Sequence, residues 1–198
     1  MGYGWNIDDI AIESAAGSDV SIVNGRMGMF GYIDYKGDLS EYWTSMTPAE
    51  KRDYAYQYYD PYAQSPRQQW VTSSGFGTFN VEVKNDGAAA VVPVLNVVVT
   101  SPSGAEVYNQ SVTGRSIAST VIDTLDLATI DDENMANSTV FYFDVQSENE
   151  IELGRYTITY TVSIDGGAED PTPANNTLEQ YFYITDNNFS KYSAYHFL

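Results

Sequence analysis

The sequence predicts an all-β chain, an antiparallel β-sandwich with one short helical insertion at about 48–58. Three observations predict it. From Phe76 onward, apolar side chains recur with a period of two, the spacing of a strand with one buried face. Turn residues, among them Asn85-Asp86-Gly87 and Ser101-Pro102-Ser103-Gly104, fall between the apolar runs at regular intervals. The best helix start in the chain is Thr47-Pro48-Ala49-Glu50. There Thr47 can cap, Pro48 suits the first helical position and Glu50 completes a capping box.

Taken in order, residues 3–12 read as a short strand anchored by Ile7, Ile10 and Ile12, followed by a small polar linker at 13–19. Residues 20–23 are a second strand. The stretch 25–38 is rich in glycine and aromatic residues. The helix should end before Asp60-Pro61, because a residue preceding proline is driven out of helical geometry. Phe79, Val81 and Val83 alternate with Asn80, Glu82 and Lys84, and Asn85-Asp86-Gly87 then turns the chain. A β-branched run spans 91–100, and further strands follow at 105–112, 120–127 and 138–145, the last two separated by the acidic loop 131–134. In the segment 154–162, Tyr156, Ile158, Tyr160 and Val162 share one face and threonines the other, the pattern of a half-buried antiparallel strand. Residues 178–185 close the series. About seven to nine strands with turn signals between them are the signature of an immunoglobulin-like sandwich, although the antibody Cys–Trp–Cys core is absent.

Composition narrows the function. The 198 residues can hold one large domain or two small ones, and 43% of them are hydrophobic, enough to build a core. The formal net charge is −18, from 27 acidic against 9 basic side chains. That argues against a nucleic-acid partner and against anionic membrane surfaces, and it makes divalent cations plausible partners. With no cysteine, there are no disulfides, no thiol catalysis and no Cys-ligated zinc. No apolar run approaches the roughly 20 residues that span a bilayer. No signal peptide follows Met1, and the expectation is a natural N-terminus further upstream, with secretion to the cell surface.

The only histidine is His196, two residues from the end, and no nucleophile-elbow, zincin, P-loop or dinucleotide motif is present. The chain is therefore read as noncatalytic. Paired carboxylates of the glycosidase kind remain open, though the acidic residues sit mostly in turns, where solvation explains them. Three oxygen-rich clusters could serve calcium: Asp8-Asp9, the loop 131–134, and Asp165 with Glu169 and Asp170. None matches an EF-hand, and the alternative is a solvated acidic surface. Tyr54, Tyr58 and Tyr62 stand at helical spacing. Exposed, they would form a stacking platform for sugar or protein; buried, they would attach the helix to the sandwich. Trp70 is expected in the core. Asn109, Asn137, Asn175 and Asn188 begin N-linked sequons, a pattern common by chance.

The residues 79–87 followed by 94–99 resemble the opening of CARDB domains, the cell-adhesion-related, immunoglobulin-like domains of bacterial surface proteins. The family's closing G-x-Y strand, acidic loop and N-N pair have counterparts in Gly154-Arg155-Tyr156, the stretch 165–170 and Asn175-Asn176. The resemblance covers roughly 70–186. It departs from the pattern at Pro171 and Pro173, where the family usually has glutamates, and in a longer stretch at 123–137. Separately, Gly4-Trp5-Asn6-Ile7-Asp8-Asp9-Ile10 resembles the terminal strand of MAM-like, cleaved-adhesin jelly rolls. That resemblance implies that residues 1–17 are an orphan strand and linker, 18–186 the sandwich, and 187–198 a linker to a following domain. It also raises Asp8 and Asp9 as ligands of a structural calcium.

These readings converge on a structural or adhesive extracellular module of a larger secreted bacterial surface protein. Its expected partners are protein or glycan at a cell surface and neighbouring domains of the same polypeptide. Trp5, Ile7 and Ile10 are expected to add to a sheet edge, since such a strand is costly to leave bare. The alternatives are a carbohydrate-binding module, an accessory domain of a secreted peptidase or glycoside hydrolase, and a filament subunit joined by strand exchange.

Overall fold

The computed structural model describes residues 17–29, 64–71, 76–131 and 134–186. The helix expected at 48–58 and the strand expected at 3–12 lie outside them. Among the described residues, nine strands form two sheets: β1 (Val20–Met29), β2 (Gln64–Pro66), β3 (Phe76–Asn85), β4 (Pro93–Thr100), β5 (Glu106–Thr113), β6 (Ile122–Leu127), β7 (Phe141–Tyr142), β8 (Gly154–Ile164) and β9 (Thr177–Thr185). One sheet has the order β1-β3-β6, with β7 continuing the line of β6 along the same side of β3. The other has the order β2-β9-β8-β4-β5. The chain is an all-β, immunoglobulin-like sandwich.

The period-two pattern places the core. Phe79, Val81 and Val83 of β3 and Leu125 and Leu127 of β6 face Leu95, Val97 and Val99 of β4 and Tyr156, Ile158, Tyr160 and Val162 of β8, all essentially inaccessible. Strand β4 alternates buried and half-buried along its whole length, as a central strand with one wet face must. Aromatic rings fill the end of the sandwich where β9 finishes. There Trp70, on the single helical turn α1 (Gln68–Val71), sits 5.2 Å from Phe141, 5.5 Å from Phe143 and 5.7 Å from Phe182, centroid to centroid. Tyr156 stacks on Phe182 at 5.1 Å. The Tyr156 hydroxyl donates to the Glu152 carbonyl at 2.9 Å, and burial pushes its pKa up to about 12.

Two local readings change, and two features are new. Strand β1 is longer than its apolar run, because pairing with β3 carries it through the glycine-rich stretch as far as Met29. Gly25 allows a close approach: a Cβ there would lie 2.9 Å from Leu178 and 3.2 Å from Tyr160 of the opposite sheet. The strand expected at 138–145 shrinks to Phe141–Tyr142, since the sequence neighbours Val140 and Phe141 are both buried in place of alternating. Finally, β2 pairs with β9 in parallel, whereas the other strand pairs among the described residues are antiparallel. Its Pro66 lacks an N–H, which suits an edge strand.

The Asn85-Asp86-Gly87 turn is not a hairpin, because β3 and β4 belong to different sheets. Gly87 N–H donates to its own turn's Asn85 Oδ1 at 2.9 Å, and the Asn85 amide donates to the carbonyls of Ala89 (2.8 Å) and Ile117 (3.0 Å). Ile117 in turn bridges to Val91. A Cβ on Gly87 would lie 2.7 Å from the Asp19 nitrogen, so the turn needs glycine to lie against the backbone leading into β1.

Thr120 has φ +64°, a left-handed conformation that a β-branched residue rarely adopts. Its side chain is exposed. Thr120→Gly is expected to raise stability by about 1 kcal/mol, because the strain is relieved at no packing cost. A urea midpoint no higher than wild type would show that the threonine is not strained.

Arg115 forms a two-pronged ion pair with Asp123, with both N···O distances 2.8 Å. That hydrogen bonding lowers the Asp123 pKa against a smaller opposing effect of burial. A carboxyl depressed in the folded state contributes stability above its unfolded pKa near 4 and loses it as pH falls through the folded value. Arg115→Ala should therefore lower the melting temperature modestly at pH 7, and the difference from wild type should vanish toward pH 2. An unchanged difference across that range would contradict the pairing.

Candidate functional site

Side-chain chemistry gathers in two places. The first is where β1 begins. Asp170, on the loop between β8 and β9, accepts hydrogen bonds at Oδ2 from the Val20 N–H (3.0 Å) and the Asn176 amide (3.0 Å), and at Oδ1 from the Thr172 N–H (2.8 Å). Burial works against its charge, but these donors outweigh it and hold its carboxyl below the usual range. Asp19 lies within hydrogen-bonding reach of Asp170 and accepts from the Thr172 hydroxyl at 3.2 Å. Burial, and then the neighbouring Asp170 carboxylate, push the Asp19 carboxyl upward. Asp86 completes the group. It takes the Lys84 ammonium and the Ser21 hydroxyl, which lower its pKa. Three oxygens in this region, Asp19 Oδ1, Asn175 Oδ1 and Asn176 Oδ1, are buried without a hydrogen-bond partner.

The second place is the outer face of the five-stranded sheet. Strand β9 reads Tyr181-Phe182-Tyr183, so Phe182 points inward and the two tyrosines outward, each 36% exposed. Their rings meet edge to face at 5.9 Å, and the Arg155 guanidinium lies 5.8 Å from the Tyr181 ring centre. Thr157 and Thr159 of β8 stand opposite Tyr181 and Glu179 on the same face.

Of the residues the sequence singled out, Asp170 stands in the first cluster. Asp165 turns its carboxylate back on its own loop, to the Gly166 N–H at 3.0 Å. In the acidic loop, Asp131 accepts from the Asn134 N–H and the Asn137 amide at 3.0 Å each. Asp8, Asp9, Trp5, Ile7, Ile10, Tyr54, Tyr58 and Tyr62 lie outside the described residues. Among the described residues, no three carboxylates or imidazoles converge to hold a metal by themselves, and no helix is long and apolar enough to cross a membrane. Sequence reasoning missed Asp19, which sits in a segment that reads as a linker. It also missed Tyr181 and Tyr183, which the period-two pattern of β9 could have placed on the outer face.

Fold and side chains together define an immunoglobulin-like β-sandwich with an oxygen-rich cluster at one end. Among solved structures, the chain is similar to the CARDB domain of a Pyrococcus furiosus protein in complex with di-metal ions, at TM-score 0.42 and 11% identity, covering 91% of this chain and 100% of that one. It is also similar to the C-terminal domain of wzt, at TM-score 0.41 and 10% identity, covering 90% of this chain and 84% of that one. No protein-family model and no curated protein matches the chain.

Proposed function

We propose that the chain is a noncatalytic structural module of a larger secreted bacterial surface protein, one that spaces neighbouring domains and contributes to protein or glycan contact at a cell surface. One observation carries this reading. Strand β1 starts beside the loop that precedes β9, whereas β9 finishes at the opposite end of the sandwich, against β2 and the first residue of β8. Nine residues of β9 at about 3.4 Å each put the two points about 30 Å apart. A module built this way lengthens a chain of domains.

Tension between those points lies along the strands. Strand β1 would have to slide along its whole ladder with β3 rather than unzip one pair at a time. Side chains tie β1 to the other sheet as well: the Gln180 amide donates to the Gly25 carbonyl at 2.6 Å, and Asp170 holds the Val20 N–H. The test is single-molecule stretching of the full chain between handles at its two termini. One cooperative rupture of the sandwich is the expected result. Gradual extension without a rupture peak would contradict the reading.

The outer tyrosines favour a second reading, a carbohydrate-binding module in which a sugar's C–H face stacks on Tyr181 or Tyr183 beside Arg155. Their edge-to-face arrangement makes a corner, not a flat platform, which ranks this reading second. A glycan array decides it. Binding that disappears in Tyr181→Ala or Tyr183→Ala would replace the structural reading.

A further inference from the structure

Two carboxylates that meet need a proton, a fixed cation or a metal ion between them. Asp19 and Asp170 meet at the start of β1, with the Asp86 carboxylate near enough to act on Asp19. Among the described residues, Lys84 answers one of these charges through its contact with Asp86, and two remain unanswered.

A separate observation points to what answers them. Asn176 is 7% exposed, and its Nδ2 is committed to Asp170 Oδ2 at 3.0 Å. That bond fixes the amide within the cluster, yet Asn176 Oδ1 has no partner. Asp19 Oδ1 and, on the same turn, Asn175 Oδ1 are bare as well. A buried acceptor left unpaired is costly, so three near one strand start call for an explanation. All three are oxygens, and two of the three side chains are neutral amides. Carboxylate and amide oxygens in a loop are the ligand set of calcium, which also takes backbone carbonyls and water. Magnesium would demand a stricter octahedron than a loop of this kind supplies.

We propose that Asp19, Asp170 and Asn176, with Asn175 beside them, bind one calcium ion at the start of β1. The ion would join the first strand of the sandwich to the loop that leads into its last. Its charge matches the two that the side chains leave over. The site is independent of whether the module spaces domains or binds sugar.

The experiment is calorimetric titration of the chelator-stripped full chain with calcium chloride at 0.15 M salt, the ionic strength at which diffuse charge attraction is screened beyond about 8 Å. One saturable site per chain is expected, together with a melting temperature that rises with calcium. Asp19→Asn keeps the shape and the acceptor for Thr172 but removes a ligand charge, and it should weaken binding at least tenfold; Asp19→Ser provides a second route to the same loss. Glu179→Gln, a charge lost from the exposed face of β9 away from the cluster, should leave binding unchanged. Absence of a saturable site up to about 10 mM calcium, an order of magnitude beyond the weakest extracellular sites, would overturn the proposal. So would full affinity in both Asp19 variants, or equal weakening by Glu179→Gln.

Discussion

Trp70→Ala is expected to destabilise the sandwich by about 3–5 kcal/mol, the range for removing a buried large aromatic side chain. Trp70 is 3% exposed and packs on three phenylalanines drawn from β7, the segment after it, and β9. Those rings come from both sheets, so the cavity left behind cannot close by moving one strand. For a domain of this size the melting temperature should fall by about 10 °C or more. Trp70→Phe, which keeps an aromatic plug, should recover much of the loss. A drop below about 1 kcal/mol for the alanine variant would mean that α1 is not anchored in the core as described.

Asn85→Ala is expected to cost about 3 kcal/mol, although it removes no apolar contact of note. Asn85 is fully buried, and its side chain satisfies three backbone groups: the Gly87 N–H and the carbonyls of Ala89 and Ile117. Alanine removes all three bonds, at about 1 kcal/mol apiece; the Gly87 N–H keeps the Asp19 carbonyl at 3.3 Å and the Ile117 carbonyl keeps the Val91 N–H at 3.1 Å. Asn85→Asp separates this mechanism from simple loss of volume. An aspartate keeps the acceptor for Gly87 but faces two carbonyls with an oxygen, so it should be at least as damaging as alanine. A stable Asn85→Asp protein, by chemical denaturation at pH 7, would contradict the hydrogen-bond account.

Strands β4 and β8 were legible because each buries one face and wets the other, so that period two appears in the letters themselves; Tyr156 through Val162 is the clearest case. The alternation of apolar and polar letters at Phe79 through Val83 also marked β3, although Asn80 is buried there too. The full length of β1 was not legible, because Asn24, Gly25 and Arg26 carry no apolar period; the ladder with β3 and the space a glycine leaves keep them extended. The segment 138–145 misled in the other direction. Its apolar residues belong to an aromatic cluster, and apolar content without alternation does not distinguish a strand from a packed loop.

The oxygen cluster was half legible. Asp170 and the Asn175-Asn176 pair stood out in an acidic loop, but Asp165, the other candidate there, is held by its own turn. Asp19 could not be found from spacing, since it lies 151 positions from Asp170 and reaches it only where β1 starts against the loop before β9. No periodicity encodes that distance. Tyr181 and Tyr183 were legible as outward residues of β9, but their meeting with Arg155 depends on the register with β8.

Strand β1 begins and β9 finishes at opposite ends of the sandwich. The absence of cysteine makes that separation directly measurable, because engineered thiols are the only sites a thiol-reactive dye can label. Gly17→Cys places one dye next to the start of β1, at a position with open space around the Cβ, and Leu153→Cys places the other on an exposed residue beside the finish of β9. Single-pair energy transfer in the full chain should report a separation of about 30 Å, the length of the strands between them. A separation of about 10 Å, the spacing of two packed sheets, would put both ends together and contradict the spacer reading.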